Sequence, residues 1–292
     1  MISQVIINGI TAGLLWGLVA IGFSLIYSTA RFLHAAHAAT FLIGAYTGIW
    51  AVKHSGGYFL AGALMAPLAA AAIGSLIEIG IYRPMLRVGS SPLILFLASL
   101  ALVIIIQNVI SLIWGSEIQV VREGIERESL YLLGGRITFW QIISSVTRLL
   151  IFIIVWLAIK LTRVGKMLRA VASDPELAQT VGIERDTMLL TSMCLGSALA
   201  GISGFLFSYE TALTPSGSFR VLLIGATAAI AGGVGSVPGA MLGGLLIGVA
   251  QHVGVWNLPT QWQDGIVFLI LILFLLSRPQ GFFGLPMRKT TV

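Results

Sequence analysis

Nine apolar stretches, joined by connections too short to form a covering layer of their own, decide what this chain can fold into. They lie near 5–28, 38–52, 58–81, 92–114, 141–161, 187–208, 220–233, 238–255 and 262–277. A helix needs ~20 mostly apolar residues to cross a bilayer. Backbone groups in lipid have to be satisfied within the span, which favours helices. The expected fold is therefore all-α: a polytopic integral membrane protein of eight or nine transmembrane helices, forming one transmembrane domain over residues 1–292. The count turns on 220–233, which is short and fits a half-helix or a re-entrant segment. Composition agrees, because only 10% of residues are charged, against ~25% in soluble domains. Cys194 is alone, so no internal disulfide is expected. The first stretch has no basic leader and no small-residue cleavage site, and reads as a retained span.

The net charge of +6 raises nucleic acid as a partner. The basic residues sit scattered at span ends and form no patch, so the bilayer explains them better. Placing 165–186 in the cytoplasm and alternating outward gives an orientation. The inner segments then hold Arg31, Arg83, Arg87, Lys160, Arg163, Lys166, Arg169, Arg185, Arg278, Arg288 and Lys289 against Glu78, Asp174, Glu176, Glu184 and Asp186. The outer segments hold Lys53, Arg122, Arg127, Arg136, Arg148 and Arg220 against Glu117, Glu123, Glu126, Glu128, Glu210 and Asp264. The balance is +6 inside and zero outside, from 11 bases less five acids and six less six. It predicts a cytoplasmic C-terminus and, with nine spans, an outer N-terminus. The 115–140 segment becomes the largest outer loop, a solvated surface of mixed sign.

The 165–186 break carries the most polar signal. Asp174 suits an N-cap and Pro175 the first helical position. Glu176 falls in the first turn, where the helix dipole favours an anion. Gly182 fits the position just past the end. A helix of about two turns is expected over 175–181, flanked by Lys166, Arg169 and Arg185 at the membrane surface. A short helix with fixed ends can pass force to a partner; an ordinary interfacial linker is the alternative.

Small residues recur every four positions: Gly196, Ala200, Gly204 and Ser208; Gly225, Ala229 and Gly233; Ala240, Gly244 and Gly248. They permit close helix approach, or they line a narrow path. No tandem repeat is evident. Gly232, Gly233, Gly235, Pro238 and Gly239 demand a tight reversal, either a plain turn or a broken helix lining a cavity. Polar residues within spans usually face the bundle interior. Asn8, His34, His37, Gln107 and Asn108 are candidates for a path or gate, with interhelical hydrogen bonding the alternative. Glu78, one turn before Tyr82 and Arg83, is expected to pair with a nearby Arg. His34 and His37 share a helix face, but two ligands are too few for structural zinc. A packing or gating role near the cytoplasmic mouth is expected for them.

Glu176, Ala178 and Gly182 match the Glu-Ala-Ala-x-x-x-Gly pattern of ABC-importer permeases, with Leu177 in place of the first Ala. Four stretches extend that likeness. The first runs from Asn8-Gly9 through Gly22-Phe23-Ser24-Leu25-Ile26-Tyr27 to His34-Ala35-Ala36-His37 and Gly44-Ala45-Tyr46. The second is Tyr82-Arg83-Pro84-Met85-Leu86-Arg87 with Gln107-Asn108. The third is the 165–186 loop running into Ala200-Gly201-Ile202-Ser203-Gly204. The fourth is Gly232-Gly233-Val234-Gly235-Ser236-Val237-Pro238-Gly239-Ala240 and Gly243-Gly244, closed by Arg278-Pro279-Gln280-Gly281-Phe282-Phe283-Gly284. The chain resembles the permeases of branched-chain amino acid ABC importers, of the LivH type, over nearly its whole length. One departure bears on substrate identity: the family usually reads close to Asn-Phe-Ala-His-Gly after the first span, and here His34 replaces the Asn and Ala38 the Gly.

The resemblance implies a bacterial inner-membrane permease subunit. In it the 165–186 loop carries a coupling helix, with Asp174, Glu176, Ala178 and Gly182 coupling the chain to an ATPase. It implies two ABC ATPase subunits, a second permease (identical or related) and a periplasmic substrate-binding protein. Cofactors are expected on the partner ATPase, as ATP and Mg, and none on this chain. No Gly-x-x-x-x-Gly-Lys-Ser/Thr sequence occurs here to bind a nucleotide. The cargo expected is a branched-chain or other hydrophobic amino acid, with urea or short amides as the alternative. An ion-coupled transporter would need intramembrane carboxylates, and Glu78 alone qualifies. No nucleophile–base set suggests an enzyme.

Overall fold

The computed structural model describes residues 2–119, 129–132, 134–256, 258–278 and 280–284. Outside them lie Pro279, Arg288, Lys289, the C-terminus and the outer-loop charges Arg122, Glu123, Glu126, Arg127 and Glu128. The helices are α1 Ile2–Ala30, α2 His37–His54, α3 Phe59–Arg87, α4 Pro92–Trp114, α5 Phe139–Leu161, α6 Arg163–Ser173, α7 Pro175–Thr180, α8 Arg185–Ser208, α9 Ser218–Gly232, α10 Val237–Gly254 and α11 Trp262–Ser277. Helix α3 widens into a π turn at Glu78–Tyr82. All nine expected spans appear as helices. Six are long and apolar enough on their own to cross a bilayer. Helix α9 has 15 residues, about 22 Å at the helical rise, and so falls short of the ~30 Å hydrocarbon core.

The chain alternates between two faces. One carries α7; the other carries the only strands among the described residues, β1 Ser129–Leu132 and β2 Gly135–Thr138. This antiparallel hairpin pairs Ser129 with Thr138 and Leu132 with Gly135. It modifies the all-α expectation: Gly134, at φ 81°, supplies the left-handed turn that a short hairpin requires. Gln4 of α1 holds the hairpin from below, its side chain bonding both the N–H and the carbonyl of Arg136.

Two four-helix units face each other with reversed direction. In the first, α1 leads through a non-helical connector, Arg31–Ala36, into α2, α3 and α4. In the second, α8 leads through Tyr209–Gly217 into α9, α10 and α11. The pairings also correspond. Helix α1 packs along α10 and α8 along α3, while α2 lies on α8 and α9 on α1. This is an inverted arrangement of the kind transporters build from internal repeats. A reversed copy with diverged side chains leaves no tandem signal in the sequence. Helices α5–α7 join the units.

Backbones meet closely along these seams. A Cβ on Gly13 would meet Leu245, one on Gly248 would meet Gly13, and one on Gly44 would land on the backbone of Gly201. Gly196 packs on Gly22 and Ile26 where α1 and α8 cross. In lipid, such small-residue contacts replace the hydrophobic drive to associate. The periodic small residues therefore serve helix packing. Helix α5 is the least covered of the six long spans: Val146, Leu149, Leu150, Ile153, Ile154 and Leu157 point outward, an apolar surface suited to lipid.

Candidate functional site

Helix α6 was not expected: residues up to Ser173 read as loop, but Thr162 caps a helix by accepting from Gly165 N–H at 3.1 Å. Gly165, Leu168 and Val171 are buried, while Arg163, Lys166 and Arg169 are exposed. That division makes α6 an amphipathic surface helix, one face on the bundle and one at the polar boundary. Arg169 bonds back to the carbonyl of Ile159, which closes the reversal from α5.

Helix α7 follows at once. Asp174 Oδ1 accepts from Glu176 N–H at 3.1 Å and from Leu177 N–H at 3.0 Å. Pro175 occupies the first position. The helix ends at Thr180, one residue before the expected 181. Gly182 adopts φ 83° and donates to Gln179 O, and Ile183 donates to Ala178 O, both at 3.0 Å. This is the paired bond pattern of a Schellman stop. Ala178 is buried against the bundle, which leaves Glu176, Leu177, Gln179, Thr180 and Val181 exposed. Leu177 is 63% exposed and Val181 70%. Four residues apart, they form an apolar ridge on a helix fixed at both ends.

Three of the other candidates, His34, His37 and Gln107, lie at the two connectors. His34 and His37 are buried, with ring centroids 6.3 Å apart. His34 Nδ1 lies 3.0 Å from the hydroxyl of Tyr82. His37 Nε2 donates to Val19 O at 3.1 Å. Ala35 N–H donates to Ser99 Oγ at 3.0 Å. Ser99 lies seven residues into α4, about 10 Å along its axis. The Arg31–Ala36 connector thus folds back to membrane depth, where irregular backbone persists only when buried in protein.

The second connector descends from the opposite face. Gln107 Nε2 donates to Pro215 O at 3.1 Å and to Ser218 Oγ at 2.6 Å, so α9 begins below the surface. This accounts for its shortness. Asn8 accepts from Gln4 Nε2 at 3.0 Å beneath the hairpin. Asn108 is exposed on α4 and bonds its own helix at Ile104 O, 2.7 Å away. His34 and His37 thus belong to one connector and Gln107 to the other; Asn8 and Asn108 stand apart.

Two expectations about charge are corrected. Arg148 and Glu210 are not loop charges: Arg148 lies inside α5, buried, 3.0 Å from Glu210. One of each sign is removed, so the orientation balance is unchanged. Glu78 does not pair with Arg83. Arg83 and Arg87 turn to Asp186, at 3.9 and 3.4 Å, near water where desolvation costs less. Glu78 is buried, and neither carboxylate oxygen has a hydrogen-bond partner among the described residues. Tyr82, Ser99, Arg148 and Glu210 are the site residues that sequence reasoning missed. Arg148 carried a signal, being an Arg eight residues into an apolar run.

The glycine-rich reversal is a packed turn. Gly233 and Gly235 have φ 105° and 88°, and Gly232 lies against the backbone of Gly239. Ser236 accepts from Gly239 N–H at 3.1 Å to cap α10, which has Pro238 in its first turn. Gly235 N–H donates to Ser24 Oγ at 2.8 Å. Phe282 and Phe283 N–H donate to Ala231 O and Gly232 O, both at 3.0 Å. The closing Gly281-Phe282-Phe283-Gly284 segment therefore docks on the turn.

Inverted helical units with membrane-depth connectors and a capped surface helix define a membrane transport permease. The model of the family described as "Branched-chain amino acid transport system / permease component" matches residues 5–276, and the chain belongs to that family. It is 32% identical to the high-affinity branched-chain amino acid transport system permease protein LivH of Escherichia coli, over 97% of this chain and 96% of that one. LivH of Salmonella typhimurium is 30% identical and BraD of Pseudomonas aeruginosa 32%, with the same coverage of 97% and 96%. A solved structure, PsaBC from Streptococcus pneumoniae in complex with Fab, aligns at a TM-score of 0.48 and 14% identity over 94% of this chain and 92% of that one.

Proposed function

We propose that this chain is the permease subunit of an ATP-driven importer of branched-chain amino acids in the bacterial inner membrane. The α7 face is cytoplasmic, and the chain's C-terminus lies on that side. Two ABC ATPase subunits bind ATP and Mg and receive α7, with Leu177 and Val181 entering a groove. A second permease, related or identical, completes the membrane unit. A periplasmic binding protein delivers the cargo to the hairpin face.

The observation that carries this reading is α7 itself. Its two ends are locked by Asp174 and Gly182, and its apolar ridge faces away from the bundle. A helix so fixed moves as a unit when a partner pushes it. ATP closure would displace both α7 copies and switch the path between its outward and inward openings.

Cargo choice rests with the binding protein. Purifying the binding protein that associates with this permease and titrating it with leucine, isoleucine, valine and urea tests the assignment. Tight binding of the three amino acids is expected. Affinity for urea with none for leucine would move the cargo to the amide class.

A further inference from the structure

Arg31 holds a backbone conformation that its side chain makes costly. Its φ is 62°, and it is the one non-glycine residue with a positive φ among the described residues. Its N–H ends α1 by donating to Tyr27 O at 2.9 Å. That is the single bond of the αL helix stop, a position glycine usually fills. Glycine would sit there without strain. Backbone strain of this kind persists where the surrounding structure holds it, and it concentrates at functional positions.

The side chain shows what is gained. Its guanidinium donates to the carbonyl oxygens of Ala172 and Ser173. These are among the last carbonyls of α6, which that helix cannot bond itself. They also carry the negative end of its dipole, where a cation is favoured. The next residue, Asp174, is the N-cap of α7. One side chain therefore ties the α6–α7 joint to the α1–α2 connector. Three residues on, His34 is bonded to Tyr82, and Ala35 is bonded to Ser99.

A shallow cleft lies between Ser24 and Ser28 of α1, Leu168 and Ala172 of α6, and Gly235 of the α9–α10 turn. Helix α6 also packs on the bundle through Leu168 and Val171; Arg31 adds a directed polar link.

We propose that Arg31 is a positioning residue for transport, a strut that carries the displacement of α7 into the Arg31–Ala36 connector and so to the start of α2. The proposal rests on the importer reading given above. It explains why an arginine stands where glycine would relax the backbone.

Arg31→Gly keeps the left-handed backbone and removes the strut. Arg31→Asn does the same with a residue that tolerates that conformation. Each variant is assembled with the ATPase subunits and binding protein in proteoliposomes, and leucine uptake and ATP hydrolysis are measured together. Normal assembly, unchanged or higher thermal stability and near-normal hydrolysis are expected, with uptake per ATP lower by about tenfold, within the span of measured coupling energies. Arg31→Lys, which keeps a donor and the charge, should recover part of the loss. Wild-type uptake per ATP in either well-assembled variant overturns the strut. So does failure of both variants to assemble, which would make Arg31 a folding residue. Failure of the importer reading looks different: the wild-type complex itself would show no ATP-driven uptake, and the strut would fall with it.

Discussion

Arg148 and Glu210 form an ion pair at 3.0 Å with the guanidinium wholly withdrawn from solvent. The pair joins α5 to the connector after α8, and Arg148 Nη1 also donates to Thr11 O of α1 at 3.3 Å. Ser144 donates to the same carboxylate. Three elements are thus fixed at one point inside the bilayer.

Breaking that pair from one side leaves a buried charge alone, at a typical cost of ~3–5 kcal/mol. Glu210→Leu and Arg148→Met should each destabilise the protein on that scale. The double variant, Arg148→Met with Glu210→Leu, should recover most of the loss, because apolar substitutes of similar volume are often neutral. Denaturant titration of the four forms in detergent reads the coupling. Strictly additive losses would show that the two residues act independently.

The glycine seams make a second, contrasting prediction. A Cβ at Gly44 would meet the backbone of Gly201, whereas one at Gly80 meets nothing within 4 Å. Gly44→Ala should lower stability by roughly 1–3 kcal/mol, as overpacking does. Gly80→Ala should leave it unchanged or raise it by up to about 1 kcal/mol, through reduced backbone freedom. Equal effects at the two positions would contradict the packing described for α2 and α8.

Much of this fold was legible because lipid imposes a simple rule on sequence. Each apolar run became a helix, with ends within three residues of expectation except in α3, which runs on six residues to Arg87. Helix α7 was legible because Asp174, Pro175 and Gly182 are local signals, each readable without a neighbour. What stayed hidden depends on partners distant in sequence. Arg148 looked like a loop charge because Glu210 lies in another unit. Glu78 looked like a partner for Arg83 because Asp186 was out of view. Arg31 gave no sign of a left-handed stop, since the usual glycine is absent and its compensation lies on α6. Of the site candidates, His34, His37 and Gln107 were found as polar residues in spans. The connectors that hold them were not, because irregular backbone at membrane depth has no apolar signature of its own.

Orientation can be read directly. Ser173 is exposed beside α7, and Arg136 is exposed on the hairpin. In a background with Cys194→Ser, Ser173→Cys should react with an impermeant thiol reagent only from the cytoplasm, and Arg136→Cys only from the periplasm. Labelling of Ser173→Cys in intact cells from the periplasmic side would reverse the topology and remove α7 from reach of an ATPase.

We propose that ATP hydrolysis by a partner drives amino-acid import through α7. This coupling is tested most directly by leucine uptake into proteoliposomes holding the permeases, ATPase subunits and binding protein. Gly182 sits at φ 83° with open space around it, so a Gly182→Trp chain should keep its place in the bundle while distorting the docking ridge. Uptake that requires hydrolysable ATP, and that Gly182→Trp abolishes while the chain remains in the membrane, is the result predicted. Uptake that persists in Gly182→Trp, or that runs on an ion gradient without ATP, would contradict the account.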